Sequence, residues 1–477
     1  MLKNSTYKGI GLIWICAAYT ACKLPELTQR TENKQVPSSF SSLNDTLSSN
    51  TLKYQEFFKD PYLVNLIDNA LKNNQELNIT LQEIEIARNE IRIKKGELLP
   101  TLNYKIGAGL EKVGRYTSSG AGDASTDITP GRAVPEVLPD YNFGLQASWE
   151  ADIWHKLRNS KQAAVNRYLS TVAGKNFVVS NLIAEIANSY YELLAQDNAL
   201  EIVRKNIDLQ NNALELMKIQ KQATRVTELA VRKFEAEVLS SKSLEFDIQQ
   251  KITETENRIN LLLARYPQPI ARDKEKFTDL VPPAIQTGIP AQLLANRPDI
   301  KQAEFELAAT KLDVKAAKAQ FYPSLGISAG LGFQAFNPNY LLRTPESVLY
   351  SLAADVVGPL INRNGIKAEY LNANAKQLQA VYNYERSILT GYLEVANQLS
   401  NIGNLQKSYD LKLRQVKALG QSIEIANDLF KSARADYFEV LMTQRDALQS
   451  RLELIETKKQ QLNAVVNIYH ALGGGWN

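Results

Sequence analysis

The chain is poor in the residues on which most enzyme chemistry depends. Its 477 residues include two histidines, His155 and His470, two cysteines, Cys16 and Cys22, and three methionines. With so few imidazoles, histidine-based catalysis and histidine metal sites have little to stand on. Both cysteines lie near the N-terminus, so the body of the chain holds no thiol. That excludes thiolate metal sites, redox pairs and structural disulfides there. Charge of one sign is also missing: 55 basic residues against 51 acidic leave a formal +4, which gives no reason for a nucleic-acid partner. Beyond the N-terminus no window carries ~18 consecutive apolar residues, so nothing reads as a membrane-spanning helix. No nucleophile–base set and no phosphate-binding loop is present, and the chain does not read as an enzyme.

What is there begins with a processing signal. Lys3 and Lys8 flank a short apolar run, Gly9 to Thr20, followed by Ala21 and Cys22. A basic flank, a short apolar stretch and small residues at a cleavage point mark export, with residues 1–21 removed. Small residues before a cysteine resemble a bacterial lipobox, with Tyr19 where that pattern usually has Leu. The resemblance implies that Cys22 is acylated and begins the mature chain, its covalent lipid being the one attached group expected. The alternative is an ordinary secretory signal with an incidental cysteine. Residues 22–55, rich in Ser, Thr and Asn, read as a polar tether.

Four stretches alternate strictly with period two. In the first, Leu102, Tyr104, Ile106, Ala108 and Leu110 face away from Asn103, Lys105, Gly107, Gly109 and Glu111. In the second, Tyr141, Phe143, Leu145, Ala147, Trp149, Ala151 and Ile153 oppose Asn142, Gly144, Gln146, Ser148, Glu150 and Asp152. The third and fourth run over 325–334 and 348–356 in the same manner. Each has about the length a tilted strand needs to cross a bilayer, with an aliphatic and aromatic face for lipid and a polar face for a wet lumen. Trp149, Tyr141 and Tyr350 suit interfacial anchoring. A soluble amphipathic sheet packed on a core is the competing interpretation. Four strands cannot close a barrel, whose smallest membrane form has about eight, and an open edge has no hydrogen-bond partner in lipid. Several copies must therefore share one barrel: two would supply about 8 strands and three about 12.

The rest reads as helix. Lys156 to Lys221 contains one glycine, Gly174, and no proline, and Gly365 to Lys431 is similar. Each would span about 100 Å and needs partner helices. Shorter helices are expected over Pro61–Leu98, Glu228–Ala264, Pro290–Gln320 and Phe438–Leu472. The halves repeat: Leu99-Pro100-Thr101-Leu102 corresponds to Tyr322-Pro323-Ser324-Leu325, and Thr227-Glu228-Leu229-Ala230-Val231 to Asp436-Tyr437-Phe438-Glu439-Val440. Such a repeat indicates duplication of one structural unit. The expected divisions are a first repeat over 56–265, a proline-bearing linker over 266–289, a second repeat over 290–472 and a glycine-rich tail over 473–477. In each half the two short helices are expected to stack end to end beside the long one. Loops are expected over Thr117–Pro139 and Asn337–Glu346.

Ile289 to Gly332 reads IPAQLLANRPDIKQAEFELAATKLDVKAAKAQFYPSLGISAGLG. Leu293, Leu294, Arg297, Pro298, Asp299, Ile300, Glu304, Phe321, Tyr322, Pro323 and Leu325 in it resemble the recurring pattern of the TolC family of outer-membrane efflux proteins, lipoprotein branch. Trp149 to Trp154 and Asp436 to Leu441 add to the resemblance, which covers nearly the whole mature chain. It implies a mixed α and β membrane protein: a homotrimer with a 12-stranded barrel in the outer membrane, continued by a coiled-coil helical tube in the periplasm. The implied partners are a periplasmic adaptor and an inner-membrane transporter of the resistance–nodulation–division type. By that resemblance the turns near Ala223–Thr227 and Ala433–Tyr437 form the periplasmic mouth. Glu439 matches an acidic ring position, and Met442 stands where a second acid is usual. Asp436 and Arg434 are placed to pair across chains, and Arg225, Val226, Thr227 and Ala435 to meet the adaptor. Each of these charges reads equally as a solvated helix-end group. The rival readings are the exit duct of a type I protein-secretion system and a soluble periplasmic coiled-coil scaffold.

Overall fold

Helix and strand follow from the two hydrophobic periods, and the computed structural model describes residues 24–40, 52–274, 277–282, 286, 288–432 and 434–476. The signal segment and Cys22 lie outside the described residues. In chain order the elements are α1 (Tyr54–Phe57), α2 (Pro61–Asn73), α3 (Gln75–Gly96), β1 (Thr101–Glu111), α4 (Ser118–Asp123), β2 (Asp127–Thr129), β3 (Arg132–Ala133) and β4 (Leu138–Ala151). They continue as α5 (Lys156–Gln222), α6 (Glu228–Leu262), α7 (Leu293–Asn296), α8 (Pro298–Ala319), β5 (Ser324–Ala335), β6 (Val348–Val357), α9 (Asn364–Lys431) and α10 (Tyr437–Ala471). The two halves match in length. α3, α5 and α6 have 22, 67 and 35 residues, and α8, α9 and α10 have 22, 68 and 35.

The chain forms two compact units, each drawing on both halves. The first comprises Met1–Thr31, Ile86–Tyr168 and Phe305–Val381. Its centre is a four-stranded antiparallel sheet in the order β1-β4-β5-β6. Register joins the alternating faces of all four strands: Tyr104 lies beside Leu145, Leu145 beside Leu331, and Leu331 beside Tyr350. The next rows are Ile106–Phe143–Phe333–Val348 and Leu102–Ala147–Ala329–Leu352. Within the first of these the Phe143 and Phe333 rings stack at 5.1 Å. This apolar face is open, with Tyr104 81%, Ile106 78% and Leu352 79% exposed. Among the described residues β1 and β6 each pair on one side only.

On the polar face Gly144 and Gly332 are paired across β4 and β5. A Cβ on Gly144 would lie 2.7 Å from the Leu331 carbonyl oxygen, and one on Gly332 2.5 Å from that of Phe143. Only glycine allows the two backbones to approach so closely there. The 117–139 segment, expected as a loop, holds α4 and the β2–β3 hairpin. Thr117 caps α4 by accepting from the Gly120 N–H at 3.1 Å, and Asp127 accepts from the Gly131 N–H at 2.9 Å. These local side-chain bonds order a glycine-rich stretch without a hydrophobic period.

The second unit comprises Glu32–Glu85, Leu169–Glu304 and Tyr382–Asn477. Its main core gathers Phe57, Leu63, Ile67, Ile183, Ile186, Tyr190, Leu193, Ile259, Phe277 and Tyr469. Each such apolar side chain, fully buried, contributes ~1.5–3 kcal/mol. The linker is part of this core: Ile270 and Phe277 are buried, and Arg272 donates to Asp197 and, at 2.5 Å, to Glu256. The tail folds back as well. Gly473 and Gly475 take φ of +85° and +98°, and the Gly474 carbonyl accepts from Ser180 at 2.6 Å.

Two expected helices are interrupted. Pro61–Leu98 breaks at Asn74, whose Oδ1 accepts from the Leu77 N–H while its Nδ2 donates to the Leu262 carbonyl, both at 2.9 Å. Asn74 thus starts α3 and satisfies an orphan carbonyl at the end of α6. Pro290–Gln320 breaks at Arg297, which is extended before Pro298. Arg297 is 2% exposed and donates to Asp299 at 2.8 Å, to Glu394 at 2.6 Å and to the Ala471 carbonyl at 2.9 Å. The two joints are equivalent: in each half, a side chain at the start of the α3 or α8 helix caps the end of α6 or α10. Gly391 leaves room for the guanidinium, since a Cβ there would come within 3.1 Å of Nε.

The stretch expected as a tether is held. In the first unit Leu24 and Leu27 pack against Phe321 and Tyr370. In the second, the Asn33 N–H donates to Glu385 at 3.0 Å, Lys34 pairs with Glu304 at 3.2 Å, and Phe40 stacks on Tyr392 at 5.4 Å. Within residues 24–40, Leu24, Leu27, Asn33, Lys34 and Phe40, hidden among polar neighbours, thus find partners.

Beside Arg297 stands His470, whose buried Nε2 has no hydrogen-bond partner. Burial, and then the Arg297 charge, hold this imidazole below its ordinary value of 6.5. The unfolded chain therefore binds that proton first, and stability, full above the ordinary value, falls as pH drops below it. In detergent, His470→Gln should flatten that acid slope in the thermal midpoint read by circular dichroism. Arg297→Met should cost about 3 kcal/mol, the low end for a broken buried pair because Glu394 remains half solvated. An unchanged midpoint in Arg297→Met would show that the joint is not a support.

Candidate functional site

The turns that close the two helical hairpins are built alike. At the end of α5, Thr224 takes φ of +57°, its N–H bonds to Lys221 at 2.9 Å, and the Arg225 N–H reaches back to Gln220 at 2.9 Å. This is a Schellman-type stop with threonine in the left-handed position usually given to glycine. Thr227 then caps α6, accepting from the Ala230 N–H at 3.4 Å. At the end of α9 the Arg434 N–H reaches the Leu429 carbonyl at 2.8 Å. Asp436 caps α10, one carboxylate oxygen accepting from the N–H groups of Phe438 at 2.8 Å and Glu439 at 3.0 Å. A carboxylate suits a helix N-terminus on charge as well as hydrogen bonding. Arg225 and Arg434 are exposed equivalents, Val226 and Ala435 are half-buried, and Ala433 lies outside the described residues.

Packing behind the turns is unequal. Leu214 and Met217 of α5 meet Val231, Phe234 and Val238 of α6, and Leu441 of α10 closes the same cluster. Val226 and Tyr437 pack against it. Between α9 and α10, by contrast, lies an open groove of about 420 Å³ lined by Ile425, Leu429, Phe438, Glu439, Met442 and Asp446. Phe438 is 44% exposed, with the Lys233 ammonium 5.0 Å from its ring centre. The structure thus brings Glu439 and Met442 to one groove and commits Asp436 to capping. Sequence reasoning passed over Asp446 and Ile425. The signal lay in Phe438, Met442 and Asp446, spaced four apart opposite the buried Val440 and Leu441.

Lys221, Glu228, Arg232 and Glu235 form a chain of exposed ion pairs on the first hairpin. The side-chain hydrogen bond from Lys221 holds the Glu228 carboxyl below its ordinary range. Of the carboxylates on the sheet, Glu150 pairs with Lys156 at 2.5 Å, and Asp152 caps α5 by accepting from the Leu157 and Arg158 N–H groups at 2.9 Å. Both are thus engaged within the chain, while Asp355 lies on β6 beside Gly326 of β5. Among the described residues no group of His, Cys, Asp and Glu could hold a metal ion, and no helix is long and apolar enough to cross a membrane.

A family model described as outer membrane efflux protein matches residues 66–265 and 289–474. The solvent efflux pump outer membrane protein SrpC of Pseudomonas putida is 29% identical over 428 residues, covering 89% of this chain and 88% of that protein. The probable outer membrane lipoprotein SilC of Salmonella typhimurium is 25% identical over 447 residues, covering 92% and 93%. The open state of the Neisseria gonorrhoeae MtrE outer membrane channel has the same fold, with a TM-score of 0.81 at 24% identity over 95% of this chain and 98% of that one.

The caps at the turns are separable from their charge. Asp436→Ala should cost about 1 kcal/mol and Asp436→Asn much less, since asparagine caps as well as aspartate. Amide exchange over the first turn of α10 would report it. Equal protection in the alanine and asparagine variants would show that the cap is idle.

Proposed function

The chain belongs to the outer membrane efflux protein family, and on that footing we propose that it is the passive outer-membrane channel of a tripartite efflux pump. It would carry small toxic compounds from a periplasmic adaptor and an inner-membrane transporter to the exterior. The observation that carries this reading is the sheet: four strands, two edges unpaired among the described residues and an uncovered apolar face opposite a polar one. Such edges are satisfied in lipid only by closure, and three copies give a barrel of about 12 strands with the polar face inside. No energy source is needed in the channel itself, because pumping resides in the transporter.

In this reading the hairpin turns form the periplasmic mouth. Three copies of Glu439 place a ring of negative charge in the constriction, and Met442 makes the next level apolar. Exposed Arg225 and Thr227, with half-buried Val226 and Ala435, offer the adaptor two basic-flanked turns, with Arg434 beside them. Cys22 carries the lipid that anchors the mature N-terminus, in keeping with the name of SilC. SrpC is named for solvents and SilC as a lipoprotein, and the cargo class proposed is accordingly small molecules. The exit duct of a protein-secretion system is the second reading, since the same tube would serve it.

Purified in mild detergent and added to planar bilayers, the protein should run as a trimer and conduct. Glu439→Ala should shift current toward anions. A monomer without conductance would end the channel reading, whereas a conducting trimer with unchanged selectivity would remove Glu439 from the constriction alone.

A further inference from the structure

The polar face of the sheet has a charge pattern that the gate does not explain. Lys105 is the one basic residue on that face of the four strands, judged by register. It is exposed and stands opposite Gly144, which is itself paired with Gly332. Gly144, Gly330 and Gly332 floor a shallow dish of about 220 Å³, with Lys105, Gln146 and Ser351 around it and Asp140, held by Asn142 and Gln334, at its far end. The floor exists because side chains are missing. A Cβ on Gly330 would lie 2.8 Å from Ser351 Oγ, and those on Gly144 and Gly332 would meet backbone.

The acidic groups of the same face do not cancel Lys105. Asp140 lies four residues along the strands from the Lys105 level, about 13 Å. Its two oxygens already accept amide N–H groups, from Gln334 at 2.8 Å and Asn142 at 3.0 Å. Glu150 is paired with Lys156, and Glu111 lies six residues from Lys105 along β1, about 20 Å. Asp355 is six residues from the Lys105 level by register, about 20 Å, beyond the screening length of roughly 8–10 Å. A lone cation above a flat floor, rimmed by an amide and a hydroxyl, has the chemistry of a site for a carboxylate that also carries hydroxyl groups.

We infer that the dish around Lys105 is an anion-binding station on the lumen wall, taking small hydroxylated carboxylates. The inference rests on the channel reading, because only a closed lumen confines a solute against this face. Three copies place three ammonium groups at one level, where low-dielectric walls strengthen their field. Lys105 then sets charge preference in the barrel independently of the mouth, and anionic solutes dwell there while neutral ones pass.

The full-length protein in planar bilayers, with gluconate added on the side of the β1–β4 and β5–β6 loops, tests this. Gluconate should reduce the chloride-carried current of the wild type. Lys105→Gln should weaken that inhibition about fivefold, and Lys105→Glu should abolish it and shift current further toward cations. Asp355→Asn should leave gluconate inhibition as it was. A wild type that conducts but ignores gluconate, or Lys105→Glu behaving as wild type, overturns the inference and leaves the channel standing. A wild type with no conductance at all overturns both.

Discussion

Backbone hydrogen bonding at the two ends of one small sheet governs how the rest of this molecule is organised. A four-stranded antiparallel sheet leaves a row of N–H and C=O groups on β1 and another on β6. Water can satisfy them and hydrocarbon cannot. The open apolar face of the same strands belongs in hydrocarbon. The two demands are compatible only if β1 of one copy bonds β6 of another. At the Gly144–Gly332 pair the absence of side chains lets β4 and β5 approach closely on the polar side.

The helical part solves a different hydrogen-bonding problem twice. Stacking two short helices in place of one long one creates an extra C-terminus in each half, with carbonyls that lack partners. Asn74 answers this in the first half with a neutral amide, and Arg297 in the second with a guanidinium that also gathers Asp299 and Glu394. The charged solution is the more demanding, since a buried guanidinium must be fully bonded. Gly391 and the Asp299 carboxylate are part of that cost.

Strands were legible from the residues because four alternating runs of nine or more positions leave little freedom of register. The long helices were legible for lack of any residue able to stop them. The equivalence of Thr227 and Asp436 followed from the repeat, whereas their capping bonds did not. Less visible were features whose partners are distant in sequence. Asn74 sits in a polar run where nothing marks a break, and its role depends on Leu262. Arg297 stood out within a recurring pattern, yet its bonds to Glu394 and Ala471 could not be read from it. The strap at residues 24–40 looked like a solvated tether because its anchors are single residues. At the hairpin turns, Glu439 and Met442 share a groove as their spacing allowed. Its openness reflects α9, whose own pattern was too weakly amphipathic to reveal which side is uncovered.

The matched lengths of the helices leave the duplicated architecture almost no slack. Removing one residue from α5 would turn everything beyond it by ~100°, taking Leu214 and Met217 off their seam with Val231 and Phe234. Removing seven would restore the facing but draw one turn back by ~10 Å while its neighbour stayed put. Reach can therefore change only in whole heptads, and only when all four long and short hairpin helices change together. The distance such a duct bridges is in this sense quantised, and a lineage that needed a different span would have to rewrite both halves of the gene in step.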